Sequence, residues 1–281
     1  MVKARSIRDE QTDSFGVQLS PGGTPDYAAW RTAVLHSEEI GVDVIFGYDH
    51  FHRPAFSGFA DGRPVLSPEQ PEVNNFESWT ALASWGEITK RAEIGVLVTG
   101  IGFRNPDLLA DMARTVDHIS GGRVILGLGS GWYEKDYNSY GYDYGTTKSR
   151  LDLFDDAVER IEYRLALLVP PPRRDIPVLI GGAGERRSLP AVARHADIWH
   201  TFVSDVDVYR RKSKLVAELA AAAGRDDAAI ERSVLWYSAA SADEPLAAGA
   251  TLFITEAQPT PDGYDFTQVE QVLSWRTAVS G

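Results

Sequence analysis

The sequence predicts a (β/α)8 TIM barrel, an α/β fold. Three observations carry this. Eight short β-rich runs recur along the 281 residues, helical stretches lie between them, and most of the runs are continuously apolar. That last property marks parallel strands covered on both faces rather than a sheet with one wet side. A barrel of this length is commonly one domain, so residues 1–281 are expected to form a single barrel domain. A doubly wound sheet is the alternative for the same alternation.

The strand runs follow in order: FGVQLS (15–20), VDVIFGY (42–48), EIGVLVTG (93–100), RVILGLGSG (123–131), IPVLIGG (176–182), DIWHTF (197–202), SVLWYS (233–238) and TLFITE (251–256). Among the helices, the one opening at Asn105-Pro106 is best marked. Asn105 can cap, Pro106 suits a first turn, Leu109, Met112, Val116 and Ile119 are expected on one face, and Gly121-Gly122 stop it. Residues 76–89, 147–165 and 206–223 are further helices. The linker of about 25 residues at 50–75 is rich in Pro, Gly and aromatics and is expected to roof a pocket. AASADEPLAAGA (239–250) is too short for two loops and a full helix.

With 43% hydrophobic and 24% charged residues the chain can bury a large core. A net charge of −12 argues against binding polyanions or membrane surfaces, so an anionic ligand needs a local basic patch. There is no cysteine, hence no disulfide framework or thiol chemistry. The N-terminus lacks the apolar run of a signal peptide, and no stretch nears the roughly 18 apolar residues of a membrane span. A soluble, cytoplasmic protein is expected.

Chemistry in such a barrel gathers at the C-terminal strand ends. The second run ends in Asp49-His50-Phe51-His52. This is either a polar turn or a delivery of His50 as proton donor or acceptor, an imidazole being suited to that near neutral pH. Asp49 would then orient it or bind ligand. Two glycine clusters, GLGSGWYEKDY (127–137) and GGAGERR (181–187), follow the fourth and fifth runs. Glycine lets backbone amides approach an anion, and the second cluster enters a helix whose dipole favours one. Arg186 and Arg187 add positive charge. Plain tight turns are the alternative reading. His50 and His52, with His200 as a third member, could instead ligate a metal. No histidine on the fifth run supports that set, so no metal is expected.

Together these segments resemble the luciferase-like flavin and deazaflavin oxidoreductases. The resemblance lies in VIFGYDHF, in IGVLVTGIGFRNPDLLADMARTVDHISGGRVILGLGSGWYEKDY and in IPVLIGGAGERRSLPAVARHADIW. It extends over nearly the whole chain and is similar above all to the subgroup using coenzyme F420, a deazaflavin. It implies a luciferase-like barrel, a homodimer, and a cofactor at the C-terminal strand ends. By position, Asp49 and His50 match the acid–histidine pair beside the cofactor ring. Val96, Leu97, Val98 and Thr99 match the segment under the ring, which in this family often contains a non-proline cis peptide. Gly129, Ser130 and Gly131 match the strand-four loop, with Trp132 and Tyr133 continuing that wall. Gly181, Gly182, Ala183 and Gly184 match the phosphate loop, with Arg186 beside it. Trp132 stands where sugar-phosphate dehydrogenases of the family carry a glutamate, which argues against a sugar phosphate. The stretches 161–176 and 239–250 are short for the family. The expectation is an F420-dependent oxidoreductase moving a hydride to or from a small organic substrate. An FMN-dependent monooxygenase is the nearest rival, ahead of a metal-dependent hydrolase or a non-catalytic flavin-binding protein.

Overall fold

The computed structural model describes residues 13–60, 63–203, 205–236 and 239–279. Eight parallel strands close into a barrel: β1 (Ser14–Leu19), β2 (Val44–Gly47), β3 (Glu93–Val96), β4 (Val124–Gly129), β5 (Val178–Gly181), β6 (Ile198–Thr201), β7 (Glu231–Leu235) and β8 (Leu252–Thr260). Each pairs with the next, and β8 returns to β1 in the register Ser14↔Leu252 to Leu19↔Ala257. All eight sequence runs are therefore strands, and the doubly wound alternative is set aside.

Helices α1 (Tyr27–Glu39), α2 (Ser78–Ile88), α3 (Pro106–Ser120), α4 (Glu134–Tyr140), α5 (Thr147–Leu167), α6 (Ser188–His195), α7 (Val206–Ala222), α8 (Ala239–Ala247) and α9 (Thr267–Val279) fill the connections. Asn105 caps α3 by accepting from the amides of Asp107 and Leu108. The buried stripe of α3 is Leu109, Ala110, Ala113, Val116, Asp117 and Ser120. Ile119, expected on it, is 38% exposed. It still touches α2: a Cβ on Gly86 would stand 3.2 Å from both Ile119 Cγ2 and Ser120 Cβ, so glycine on α2 makes room for the two side chains at the end of α3. The link 239–250 is short, as expected, yet it still folds nine residues as α8. A left-handed Gly249 (φ 92°) follows it.

Period-two alternation splits the strand side chains into two layers. Phe15, Val17, Ile45, Ile94, Val124, Val178 and Phe253 pack outward under the helices. Val44, Phe46, Ile125, Leu179, Ile198, Leu252 and Ile254 fill the barrel itself, with Leu97 and Val98 resting on them. This plug closes the lower barrel, so the upper end alone is left for chemistry. At the lower end the buried Arg123 donates to the carbonyls of Gly86, Thr89, Ala92 and Ser120, tying the C-terminal ends of α2 and α3 to the floor. No helix among the described residues is long and apolar enough to cross a membrane.

Candidate active site

The linker after β2 holds a two-stranded hairpin, Phe56–Ala60 with Arg63–Leu66, that no sequence signal singled out. Gln70 clamps its base. Its side chain accepts from the Ala55 amide (2.9 Å) and donates to the carbonyls of Ala55 (2.9 Å) and Ser67 (2.7 Å). The Tyr133 hydroxyl donates to the same Gln70 oxygen at 2.9 Å. The hairpin is thus fixed beside the β4 loop, at the C-terminal mouth of the barrel.

His50 lies below it. Its Nδ1 is 2.7 Å from Asp136 Oδ2. The other oxygen, Oδ1, accepts from the amides of Phe51 (3.1 Å) and His52 (3.0 Å) and lies 2.9 Å from His52 Nδ1. Asp136 is fully buried. A buried carboxylate must be satisfied by donors, and four surround this one. The arrangement leaves His50 Nε2 without a hydrogen-bond partner among the described residues, on a side chain 19% exposed. Edge-on contacts from Tyr48 (5.5 Å), Trp132 (5.2 Å) and Tyr133 (5.5 Å) fix the ring plane. Asp136 was missed in the sequence because its partners lie 84 to 86 residues away. Its only local signal was an acid in the first turn of a helix after a glycine loop.

Asp49 does not orient His50. Its carboxylate pairs with Arg104 through two contacts of 2.5 and 2.9 Å, and Arg104 reaches Glu77 at 2.6 Å. Asp49 is 3% exposed. Burial lifts its carboxyl and Arg104 pulls it back, leaving it at about 6. The imidazole is held by Asp136, and the Asp49 carboxylate is taken up by Arg104.

The segment after β3 divides in the same way. Val96 belongs to the outer core, and the buried Thr99 accepts from Trp79 Nε1 at 2.9 Å. Both side chains therefore face the helical layer. Leu97 and Val98, joined by a cis peptide as the family resemblance implied, face the barrel interior. A Cβ on Gly129 would meet Val98 Cγ2 at 2.5 Å and one on Gly181 would meet Val98 Cγ1 at 3.2 Å. Glycine at these two positions lets Val98 lie between β4 and β5, giving a flat apolar floor on that side.

Beyond β5, Gly182 has φ 135°, a conformation glycine adopts freely, and Gly184 is exposed ahead of α6. Gly181, Gly182 and Ala183 are half-buried. Arg187 is tied to Asp152 (2.9 Å) and Asp155 (2.7 Å), whereas Arg186 is exposed with no ion pair among the described residues. In the β4 loop, Ser130 is half-buried and the Gly131 carbonyl accepts from Arg150 Nε at 3.1 Å. Tyr133 is 3% exposed and turned to Gln70 and His50, so it is not an open wall; Trp132 is 41% exposed and is. A planar ring with a phosphate tail fits these residues: Val98 and the glycines offer a floor, and the loop at 181–184, the N-terminus of α6 and Arg186 offer an anion cradle.

Three inward positions at the mouth, on β1, β6 and β8, are polar. Gln18 Nε2 donates to the Leu97 carbonyl at 2.7 Å, and His200 Nδ1 lies 2.9 Å from Ser233 Oγ. Glu256 accepts from Gln258 at 2.8 Å, and Gln258 from Arg53 at 2.7 Å. Burial raises Glu256 and lowers His200 to about 4. Among the described residues, no cluster of three or more His, Asp or Glu is arranged to hold a metal ion.

A family model described as luciferase-like monooxygenase matches residues 12–277. An uncharacterized protein of Mycobacterium tuberculosis is 29% identical over 231 residues, 75% of this chain and 80% of that one. A second protein of M. tuberculosis, named for coenzyme F420-dependent oxidoreductase activity, is 30% identical over 211 residues, 66% of this chain and 54% of its own. An F420-dependent secondary alcohol dehydrogenase, solved with an F420–acetone adduct, superposes with a TM-score of 0.78 at 16% identity, covering 95% of this chain and 99% of that one. The oxygenating constituent of 3,6-diketocamphane monooxygenase from Pseudomonas putida, solved with FMN, superposes with a TM-score of 0.62 at 15% identity, covering 80% and 67%. At these identities the two solved structures share the fold.

Proposed function

This chain belongs to the luciferase-like monooxygenase family, and from that premise we propose that it is a coenzyme F420-dependent oxidoreductase moving a hydride between the deazaflavin and a small organic substrate. The observation that carries the reading is His50, an imidazole locked through Nδ1 by a buried carboxylate, with Nε2 unpartnered among the described residues at the mouth of the barrel. Bound at the floor of that mouth, a deazaflavin supplies a ring carbon that gives or takes a hydride.

The chain's residues do the rest. Leu97 and Val98 would bear the ring, and the loop at 181–184 with Arg186 would bind the phosphate. His50 balances the hydride with a proton. When a hydride reaches a substrate carbonyl carbon, Nε2 donates a proton to the carbonyl oxygen; in the reverse direction it accepts the proton from the hydroxyl. Asp136 keeps the ring oriented and supports the positive charge it carries in turn. FMN-dependent monooxygenation is the second reading, supported by the superposition on an FMN complex. A homodimer belongs to the same proposal on the strength of the family resemblance, and light scattering of the purified protein tests it.

His50→Asn tests the role directly. Turnover with reduced F420 over a panel of ketones, and with F420 over secondary alcohols, is expected to fall about 100- to 10,000-fold. Cofactor affinity should stay within about threefold. Undiminished turnover refutes the assignment.

A further inference from the structure

Six of the seven tryptophans, Trp30, Trp79, Trp85, Trp199, Trp236 and Trp275, are at most 8% exposed, while Trp132 is 41% exposed. Trp132 is neither a core residue nor a stray surface ring. It stacks on Phe56 of the hairpin (centroids 5.9 Å, planes 29° apart) and meets the His50 imidazole edge-on at 5.2 Å. Phe56 is itself 47% exposed, and Leu66, registered opposite it on the other hairpin strand, is 37% exposed. Large apolar side chains left open and adjoining mark a surface that something apolar covers. Here they adjoin the proton-transfer group.

The surface is also held in place. Gln70 binds both ends of the hairpin and the Tyr133 hydroxyl. The Tyr144 hydroxyl donates to the Trp132 carbonyl at 3.0 Å. A preformed aromatic wall binds without first being ordered, which favours affinity. The wall offers no charge of its own, so it suits a neutral skeleton better than a phosphorylated sugar.

We propose that Trp132 and Phe56 form the substrate platform of this mouth, and that the substrate is a neutral carbonyl compound or alcohol with an extended apolar skeleton lying along the two rings. This rests on the functional reading above only in taking the His50 mouth as the reactive end. Trp132 and Phe56 are specificity-determining residues under this assignment: they grip the carbon chain, and His50 faces the oxygen.

The test is a binding series with acetone, 2-butanone, 2-hexanone and 2-octanone, read by protection of tryptophan fluorescence from acrylamide. The quenchable signal is expected to come from Trp132, since the other six rings are at most 8% exposed. Affinity is expected to rise about threefold to fourfold for each methylene buried. Phe56→Ser should flatten that slope, and in Trp132→Phe the protection signal should vanish. Flat affinity along the series overturns the proposal. So does an unchanged slope in Phe56→Ser, protection persisting in Trp132→Phe, or glucose 6-phosphate protecting better than 2-octanone. No cofactor or turnover is involved. A protein that shows the slope but binds neither F420 nor FMN refutes the redox reading alone, and one that binds F420 with a flat slope refutes the platform alone.

Discussion

Asp136 is the residue on which the mouth depends. Its carboxylate serves two imidazoles and two amides in a fully buried position. Asp136→Ala leaves those groups without an acceptor, and each unsatisfied buried group costs about 1–3 kcal/mol. Denaturant unfolding should show a loss of about 3 kcal/mol or more, accompanied by loss of turnover. A loss below about 1 kcal/mol would mean that the loop is held by other contacts. His200 supplies a pH signature. Burial lowers it to about 4 from an ordinary value near 6.5, so the folded state keeps it neutral where the unfolded chain protonates. Its contribution is complete above pH 6.5 and is lost as pH falls from 6.5 to 4. Asp49, raised to about 6, works in the opposite sense, favouring the fold as pH falls from 6 towards 3.8. The comparison with His200→Asn isolates the imidazole: the parent's stability, relative to the variant's, should drop by about 3 kcal/mol across that window. Parallel curves would contradict the assignment. Asp49-His50 was legible because a strand that stops in an acid and an imidazole is visible in six letters. Asp136 was not, since an ion contact spanning 86 residues leaves no local pattern.

At the scale of elements, the glycine turn between β5 and α6 is the part most exposed to mutation. Gly182 sits at φ 135°, where L side chains are strained, and a Cβ there would lie 3.4 Å from Ser188 Oγ, at the first residue of α6. Gly182→Leu should weaken cofactor binding at least about tenfold by distorting the turn proposed to hold the phosphate and displacing the Gly182 amide from the His200 carbonyl (3.1 Å), with the far-ultraviolet spectrum of the barrel unchanged. Unaltered affinity would place the phosphate elsewhere. The strands were legible because parallel strands buried on both faces read as continuous apolar runs. The hairpin Phe56–Ala60 with Arg63–Leu66 was not: Phe56, Ser57, Gly58, Val65 and Leu66 are exposed, and Gln70 and Tyr133, not its own pattern, hold it. Helix α4 has seven residues, too few for a period to show. The split of Val96, Leu97, Val98 and Thr99 between two faces was hidden as well, because an unbroken apolar run does not say which side chains point inward.

For the whole molecule, closure of β8 on β1 and the apolar plug beneath leave one end open to a ligand. His50, Leu97, Val98, Trp132 and the loop at 181–184, proposed for proton transfer and cofactor, lie at that end. The central claim is that this mouth takes a deazaflavin. The measurement that tests it most directly is an equilibrium titration of the purified protein with F420 and with FMN side by side, followed by absorbance and fluorescence. The account predicts saturable one-to-one binding of F420, at least about tenfold tighter than FMN and weakened in Gly182→Leu. Tighter binding of FMN, or no binding of F420, would contradict it.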